Sequence, residues 1–469
     1  MRRLAVIGTL VAAALVFPSA ALAHGIVGRT DLPIPVWLFG WAAAVVLIVS
    51  FVALGSLWPS PRLQVERLGR PLVRLPVIAD VVLGALGIAL FALTVYSGLA
   101  GVQDAFGNFN PTMIYVLFWV GMVVVSVLFG NVFRLLSPWR ATARAVSWTA
   151  RKVSGREPPP VVEYPAWLGR WPAAIGILAF AFVELAYRNR DDPSQLAIMA
   201  LVYAVVMLAG MAWFGVETWS ERADPFGVYF GLFARLAPIT RRDGVLRLRP
   251  PLAGAPSLDI VPGTVALLCV AIGSTTFDGF SNGPIWASLA PHLESLFGHL
   301  GGGPQAQLQW ASLIGLVACV LVVTGFYRLG IRGMVTVGEG HDAKELAGLF
   351  AHTLIPIAFA YALAHYFSLL VFQGQGAIHL FSDPLGHGSD IFGTAHTGID
   401  YGVISSKGIW YAQVGALVLG HVCGLILAHD RAVGMYRQVQ DALRSQYWML
   451  VVMVGFTSLG LWLLSAVNT

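Results

Sequence analysis

Apolar residues along the chain form ten long runs that are separated by polar segments. At about 1.5 Å of helix per residue, each run can cross a hydrocarbon core of about 30 Å when tilt is allowed. The run 171–187 is the shortest and is at the lower limit of that length. The pattern predicts an all-α, polytopic membrane helix bundle with spans at approximately 35–57, 81–101, 113–133, 171–187, 196–216, 259–277, 310–327, 346–372, 410–428 and 447–466.

The first 23 residues have the pattern of a secretory signal peptide. Arg2 and Arg3 precede an apolar stretch from Leu4 to Phe17, and Ala21-Leu22-Ala23 supplies a cleavage site before His24. Residues 24–469 then form a single transmembrane domain. An uncleaved first span is the alternative, although the apolar stretch is short for a membrane crossing.

Positive charge alternates between the loops in a way that indicates topology. The candidate inner loops hold 23 of the 29 Lys and Arg residues, and the candidate outer segments hold only four. Cytoplasmic loops carry such an excess in membrane proteins. The bias predicts a bacterial cytoplasmic membrane protein with ten spans and with both termini outside.

Composition excludes several other classes. The chain of 469 residues is 57% hydrophobic and only 11% charged, which is unlike a water-soluble enzyme. Its three cysteines lie inside predicted spans, so they are expected to be small core residues and not disulfide partners. The formal net charge of +5 belongs to short loops between spans, so we expect lipid and not nucleic acid as the partner.

Four loop segments have interpretable patterns. Ser137-Pro138 and Asp224-Pro225 each place a capping side chain before a proline, so both are expected to begin helices that lie along the inner membrane interface. The pattern from Ala287 to Leu300 predicts a short amphipathic outer helix. The segment 373–409 contains eight glycines and no clear helical period, so it is expected to be a lid or a site-forming loop.

Ionisable residues at membrane depth are the candidates for chemistry, because burying them without partners is costly. Glu184 and Asp278 lie near the outer ends of the fourth and sixth spans, His365 in the outer part of the eighth, and His421 near the middle of the ninth. Since the eighth and ninth spans are antiparallel, His365 and His421 are expected at similar depth. The spacing of the other histidines in these spans disfavours two stacked haems and leaves one haem or one metal open.

Three segments carry a resemblance to a known family. They begin at His24 (HGIVGRTDLPIP), at Asp224 (DPFGVYFGLF) and at Ser274 (STTFDGFS). Together they resemble bacterial polytopic membrane proteins labelled fenitrothion hydrolase, and the resemblance covers the whole mature length. It implies hydrolysis of an organophosphorus triester by a membrane protein, and it supplies no catalytic residues.

Triester hydrolysis requires an activated water and a positive group on the phosphoryl oxygen, which a divalent metal such as zinc or copper can supply. We therefore expect His365 and His421 to be metal ligands, with Asp278 as a third ligand or a base and Glu184 as a further catalytic carboxyl. An apolar ester could reach this site from lipid.

The alternatives are an ion- or proton-coupled transporter or channel, and a copper-handling or cofactor-assembly protein in which His24 binds copper through its imidazole and α-amine. The oligomeric state is left open.

Overall fold

The computed structural model describes residues 36–64, 69–156, 160–300, 303–337 and 340–467. The predicted signal peptide and His24 lie outside these ranges. The principal helices are α1 (Val36–Leu57), α2 (Val77–Ala100), α3 (Phe109–Phe129), α4 (Pro138–Ser154), α5 (Trp171–Leu185), α6 (Pro193–Phe214), α7 (Val216–Arg222), α8 (Pro225–Phe233), α9 (Thr264–Ser281), α10 (Pro284–Leu296), α11 (Gly303–Val335), α12 (Ala343–Phe350), α13 (Leu354–Ser382), α14 (Ser406–Met435) and α15 (Val439–Val467).

The molecule is an all-α bundle of a multi-pass membrane protein. Within the described residues, nine helices are long and apolar enough to cross a membrane, and each corresponds to a predicted span. The predicted fourth span is shorter than expected, because α5 has 15 residues, or about 22 Å of helix. The outward faces of α1 and α2 consist mostly of exposed apolar side chains, as contact with lipid requires.

Helix α9 lies at the centre of the bundle. It packs against α5, α11, α13 and α15, and 72% of its spanning residues are buried, against 17% for α2. Close contacts between helices depend on small residues, as is common in membrane bundles. Gly273 of α9 lies against the Val320 backbone of α11, and Gly420 of α14 lies against Ala360 of α13.

A small antiparallel sheet, which the sequence pattern did not predict, joins two of the arginine-rich loops. Its strands are β1 (Arg70–Arg74), β2 (Ile239–Arg242) and β3 (Val245–Leu248), in the order β1-β3-β2. Arg70 and Ile239 both pair with Leu248, and a bulge interrupts β1 between Pro71 and Val73. An ion pair between Arg241 and Asp80 ties the sheet to the start of α2.

The capping predictions at the two proline-initiated helices are confirmed, but the placement of one helix is wrong. Ser137 accepts a hydrogen bond from the Arg140 amide, and Asp224 accepts one from the Gly227 amide. Helix α4 exposes much of its surface. Helix α8 instead enters the bundle and buries seven of its nine residues, including Phe230 and Phe233. Its apolar aromatic side chains are stabilised by the core and not by the interface.

Two outer segments were also predicted from the sequence. The predicted amphipathic helix is confirmed as α10, although it begins at Pro284 and ends at Leu296; its placement on the outer side stays a prediction. The segment 373–409 is not a loop throughout, because α13 continues to Ser382. The Gln375 side chain bonds the Val371 carbonyl and the Asp400 backbone, which holds the extended helix against the remaining loop.

Candidate functional site

The centre of the candidate site is an ion pair between two membrane-spanning helices. His365 Nε2 of α13 lies 2.8 Å from Asp278 Oδ2 of α9, and the two side chains are 16% and 17% exposed. Asp278 is three residues from the end of α9, so its carboxylate is close to one end of the bundle. The pair is largely buried, and the contact between imidazole and carboxyl joins α9 to α13.

Glu184 approaches this pair from the end of α5. Its carboxyl interacts electrostatically with Asp278, and the Tyr366 hydroxyl is a polar neighbour of both carboxyl groups. Trp119 and Tyr366 are the side-chain hydrogen-bonding neighbours of the Glu184 carboxyl. The contact with Trp119 is loose, because Glu184 Oε2 and Trp119 Nε1 are buried and neither makes a hydrogen bond of ordinary length and angle to the described residues. Buried polar atoms are normally satisfied by protein or water. The Glu184 carboxyl is therefore enclosed by aromatic side chains that carry polar groups.

The aromatic residues Tyr115 and Trp119 of the site belong to an unusual helical segment. Within α3, residues Thr112–Gly121 form a π-helix, which is rare and is found frequently at functional sites. It presents Trp119 towards Glu184 and Tyr115 towards the loop between α5 and α6, where the Tyr115 hydroxyl donates to the Arg190 carbonyl at 2.8 Å. Arg190 is the cation that acts electrostatically on both Glu184 and Asp278.

A small cavity adjoins the other side of His365. Its volume is about 20 Å³, which is sufficient for one water molecule. It lies between α9, α13, α14 and α15, and its lining includes Thr275, Thr276, Tyr361 and Leu417. His365 therefore stands between the carboxyl groups and an internal space that can hold water.

His421 does not join the cluster. Its ring is fully buried beside Tyr361, with 5.9 Å between the ring centroids, and its Nδ1 bonds the Leu417 carbonyl of its own helix. Leu417, and not His421, lines the cavity next to His365. His421 therefore lies about one helical turn along α14 from the residue that faces the His365 cavity.

The structure thus brings together Glu184, Asp278 and His365 and leaves His421 apart. The described residues contain no group of three or more His, Cys, Asp or Glu side chains that could hold a metal ion. The ligand set expected from the sequence, His365 and His421 with Asp278, is not assembled. His24 is outside the described ranges, so its expected copper role stays a prediction.

Three participants were missed by the sequence reasoning. Tyr366 follows His365 directly, and its ring lies 4.9 Å from the imidazole at an angle of 87°. Trp119 and Tyr115 are aromatic residues in an apolar run, where nothing in the pattern separates them from core residues. A search for tyrosines adjacent to intramembrane histidines would have found Tyr366.

Comparison with protein-family models, with curated proteins and with solved structures found no match to this chain. The function is therefore argued from the geometry of the site.

Proposed function

We propose that this protein binds and transfers protons through Glu184, Asp278 and His365, as a proton-coupled transporter does. The observation that carries the proposal is the His365–Asp278 pair beside a second buried carboxyl, Glu184, which interacts electrostatically with Asp278. Intramembrane carboxyl and imidazole groups in such contact are the usual components of proton relays.

Electrostatics supports the exchange of a proton within the cluster. Two carboxylates that interact in a poorly solvated site repel each other, so sharing a proton stabilises the pair. The Tyr366 hydroxyl can bridge the two carboxyl groups, because it can donate a hydrogen bond to one and accept a hydrogen bond from the other. On the opposite side, the cavity beside His365 can hold the water that would continue the path.

The proposal includes an orientation in the bacterial cytoplasmic membrane. The 23-to-4 distribution of Lys and Arg favours both termini outside and the arginine-rich loops in the cytoplasm. The carboxyl cluster then lies in the outer half of the bundle. Protons would enter from the periplasmic side.

Proton binding and transfer can be measured in two ways on the purified protein. Infrared difference spectra of the protein in lipid should show a carboxyl band that titrates with pH and that is lost in Asp278→Asn and Glu184→Gln. In proteoliposomes containing a pH-sensitive dye, the wild type should dissipate an imposed pH gradient. Asp278→Asn should slow that flux by about tenfold or more, since it removes one charge of a buried pair.

Glu294→Gln is the matched control, because Glu294 is a carboxyl on α10 and does not belong to the cluster. This variant should keep both the spectrum and the flux. Spectra and fluxes that are the same in Asp278→Asn as in the wild type would contradict the proposal.

A second candidate is the membrane hydrolase that the sequence resemblance implies, and one observation favours it. Asp278 holds His365 through Nε2, which leaves Nδ1 directed towards Gly279, where a Cβ would lie 3.9 Å from it. A carboxylate-oriented imidazole of this kind is suited to act as a general base on water.

Hydrolysis can be tested on the protein in nanodiscs with a nitrophenyl phosphotriester, an apolar substrate that partitions into lipid. Release of nitrophenol should be abolished by His365→Ala and retained by His421→Ala, since His421 is outside the cluster. Equal rates in the wild type and in His365→Ala would remove this candidate.

A further inference from the structure

A second polar cavity lies at the opposite end of α5 from Glu184. Its volume is about 230 Å³, and it opens between α4, α7, α8 and the segment before α5. Its charged lining residues are five arginines and three carboxylates: Arg134, Arg140, Arg170, Arg222, Arg235, Glu221, Asp224 and Asp259. This cavity is separate from the cluster described above, and the proposed function does not use it.

Part of the positive charge in this cavity is already neutralised. Arg134 pairs with Glu217 at 2.7 Å and with Glu221 at 2.6 Å, and Arg140 pairs with the same Glu217 at 2.8 Å. Burial alone would raise the pKa of Glu217, but the guanidinium groups of Arg140 and Arg134 lower it. The single carboxylate of Glu217 therefore forms ion pairs with both Arg134 and Arg140.

Asp224, which also lines the cavity, accepts its hydrogen bonds from groups other than the arginines. Asp224 accepts hydrogen bonds from Trp139 Nε1 at 2.7 Å, from the Tyr203 hydroxyl at 2.6 Å and from the Gly227 amide at 3.0 Å. These donors belong to uncharged groups. Asp224 is therefore engaged in joining α4, α6 and α8, and it forms no ion pair with the cavity arginines within the described chain.

Two arginines keep side-chain donors that are not used. The Arg222 side chain lines the cavity, and no ion pair joins it to a described carboxylate. The Arg170 side chain is only 6% exposed. It pairs with Asp259 at 3.8 Å and donates from Nη1 to the Asp259 carbonyl at 3.3 Å and to the Thr264 hydroxyl at 2.9 Å, whereas its Nε is buried without a partner in the described structure. Burial, together with the nearby charges of Arg235 and Arg222, lowers the pKa of Arg170 to about 10, although Asp259 and Glu221 act in the opposite direction. The cavity therefore combines positive charge with a buried unused donor, and this combination suits an anion.

We propose that this cavity is a binding site for a phosphate group, with Arg170 and Arg222 as its principal donors. Guanidinium groups bind phosphate oxygens through paired, charge-assisted hydrogen bonds. The positive-inside bias explains why arginines are frequent in these loops. It does not explain a buried Nε without an acceptor inside a polar cavity.

The phosphate group could belong to a soluble anion or to a lipid headgroup, because basic pockets at the membrane surface bind both. The thermal stability of the full-length protein distinguishes the two sources. In nanodiscs of phosphatidylcholine, inorganic phosphate should raise the Tm above the value in chloride at equal ionic strength. In nanodiscs that also contain phosphatidylglycerol, a lipid ligand would raise the Tm without added phosphate.

Variants test whether either effect arises in this cavity. Arg222→Gln should weaken binding of the phosphate probe by about tenfold or more, as expected for loss of a charge-assisted hydrogen bond. Arg170→Lys is the second variant, since it keeps the charge and removes the Nε donor. Arg156→Gln is the control, because Arg156 is exposed beyond the end of α4 and does not line the cavity.

A Tm increase with inorganic phosphate that depends on Arg222 supports the proposal with a soluble ligand. An increase with phosphatidylglycerol that depends on Arg222, and to which phosphate adds nothing, supports it with a lipid ligand. No increase with either probe, or an equal loss in Arg156→Gln, overturns it.

Discussion

At the residue scale, two buried carboxylates differ in their surroundings from Glu184 and Asp278. Asp224 is 1% exposed and Asp430 is fully buried, and both accept hydrogen bonds mainly from uncharged donors. The Asp430 carboxylate accepts hydrogen bonds from Trp58 Nε1 at 3.0 Å and from Gln64 Nε2 at 2.6 Å, in addition to loop amides. Such fully satisfied groups fix neighbouring elements in place. Asp224 and Asp430 are therefore structural, in contrast to Glu184, which interacts with a second carboxyl group, Asp278.

This difference predicts the effect of Asp224→Asn. The oxygen of asparagine can replace one carboxylate oxygen, but its amide nitrogen would face a second donor, either Trp139 Nε1 or the Tyr203 hydroxyl. Leaving a buried donor unsatisfied costs about 1–3 kcal/mol. We expect a clear fall in the Tm of the purified protein in detergent, measured by the loss of helical circular dichroism.

Asp192→Asn is the matched control for this change. Asp192 also caps a proline-initiated helix, α6, and its Oδ1 accepts from the Gln195 amide at 3.0 Å. Asparagine caps helices as well as aspartate does, so the Tm should change little. Equal Tm values in Asp224→Asn and the wild type would show that the buried hydrogen bonds of Asp224 do not hold α8.

At the scale of elements, α8 depends on one close approach to α5. A Cβ built on Gly176 of α5 would overlap the Pro225 ring at the start of α8. On its other sides, α8 packs Phe226 against Phe118 at 4.8 Å and stacks Tyr229 on Trp119 at 4.9 Å. The helix is therefore enclosed by tight contacts, and it cannot move away from α5 without disturbing the aromatic rings.

Gly176→Ala should consequently lower the stability of the protein, although alanine is the better helix former. Overpacking of this kind costs about 1–3 kcal/mol, which exceeds the gain of about 1 kcal/mol from helix propensity. Gly325→Ala in α11 is the control, since nothing lies within 4 Å of a Cβ at Gly325. Thermal melts should give a lower Tm for the first variant and an unchanged or higher Tm for the second; the reverse order would exclude close packing of α8 on α5.

The π-helix in α3 shows what an apolar pattern leaves undetermined. Residues 113–133 are uniformly hydrophobic, so the sequence predicts a span but gives no helical phase. The π-helical turns decide which way Tyr115 and Trp119 face, and neighbouring helices fix that choice through packing. The same limit explains α8, whose length and capping were predictable from Asp224-Pro225 while its burial was not.

At the scale of the whole molecule, hydropathy was sufficient for the membrane-spanning helices, because lipid imposes one length and one polarity on each of them. Convergence of Glu184, Asp278, His365 and His421 was expected from their shared depth. The structure brings the first three together and leaves His421 apart. The sequence could not give the axial position of α14 relative to α13 to within one helical turn. That position places Leu417 beside the His365 cavity and His421 beside Tyr361.

The position of α8 has a consequence for communication across the bilayer. Gly227 and Gly231 of α8 line the arginine cavity. Tyr229 of the same helix stacks on Trp119, which is a neighbour of Glu184. Because densely packed interiors transmit small displacements and do not absorb them, a shift of α8 would disturb the aromatic contacts next to Glu184. An anion bound at the proposed arginine site would, by shifting α8, change the surroundings of Glu184 at the other end of α5.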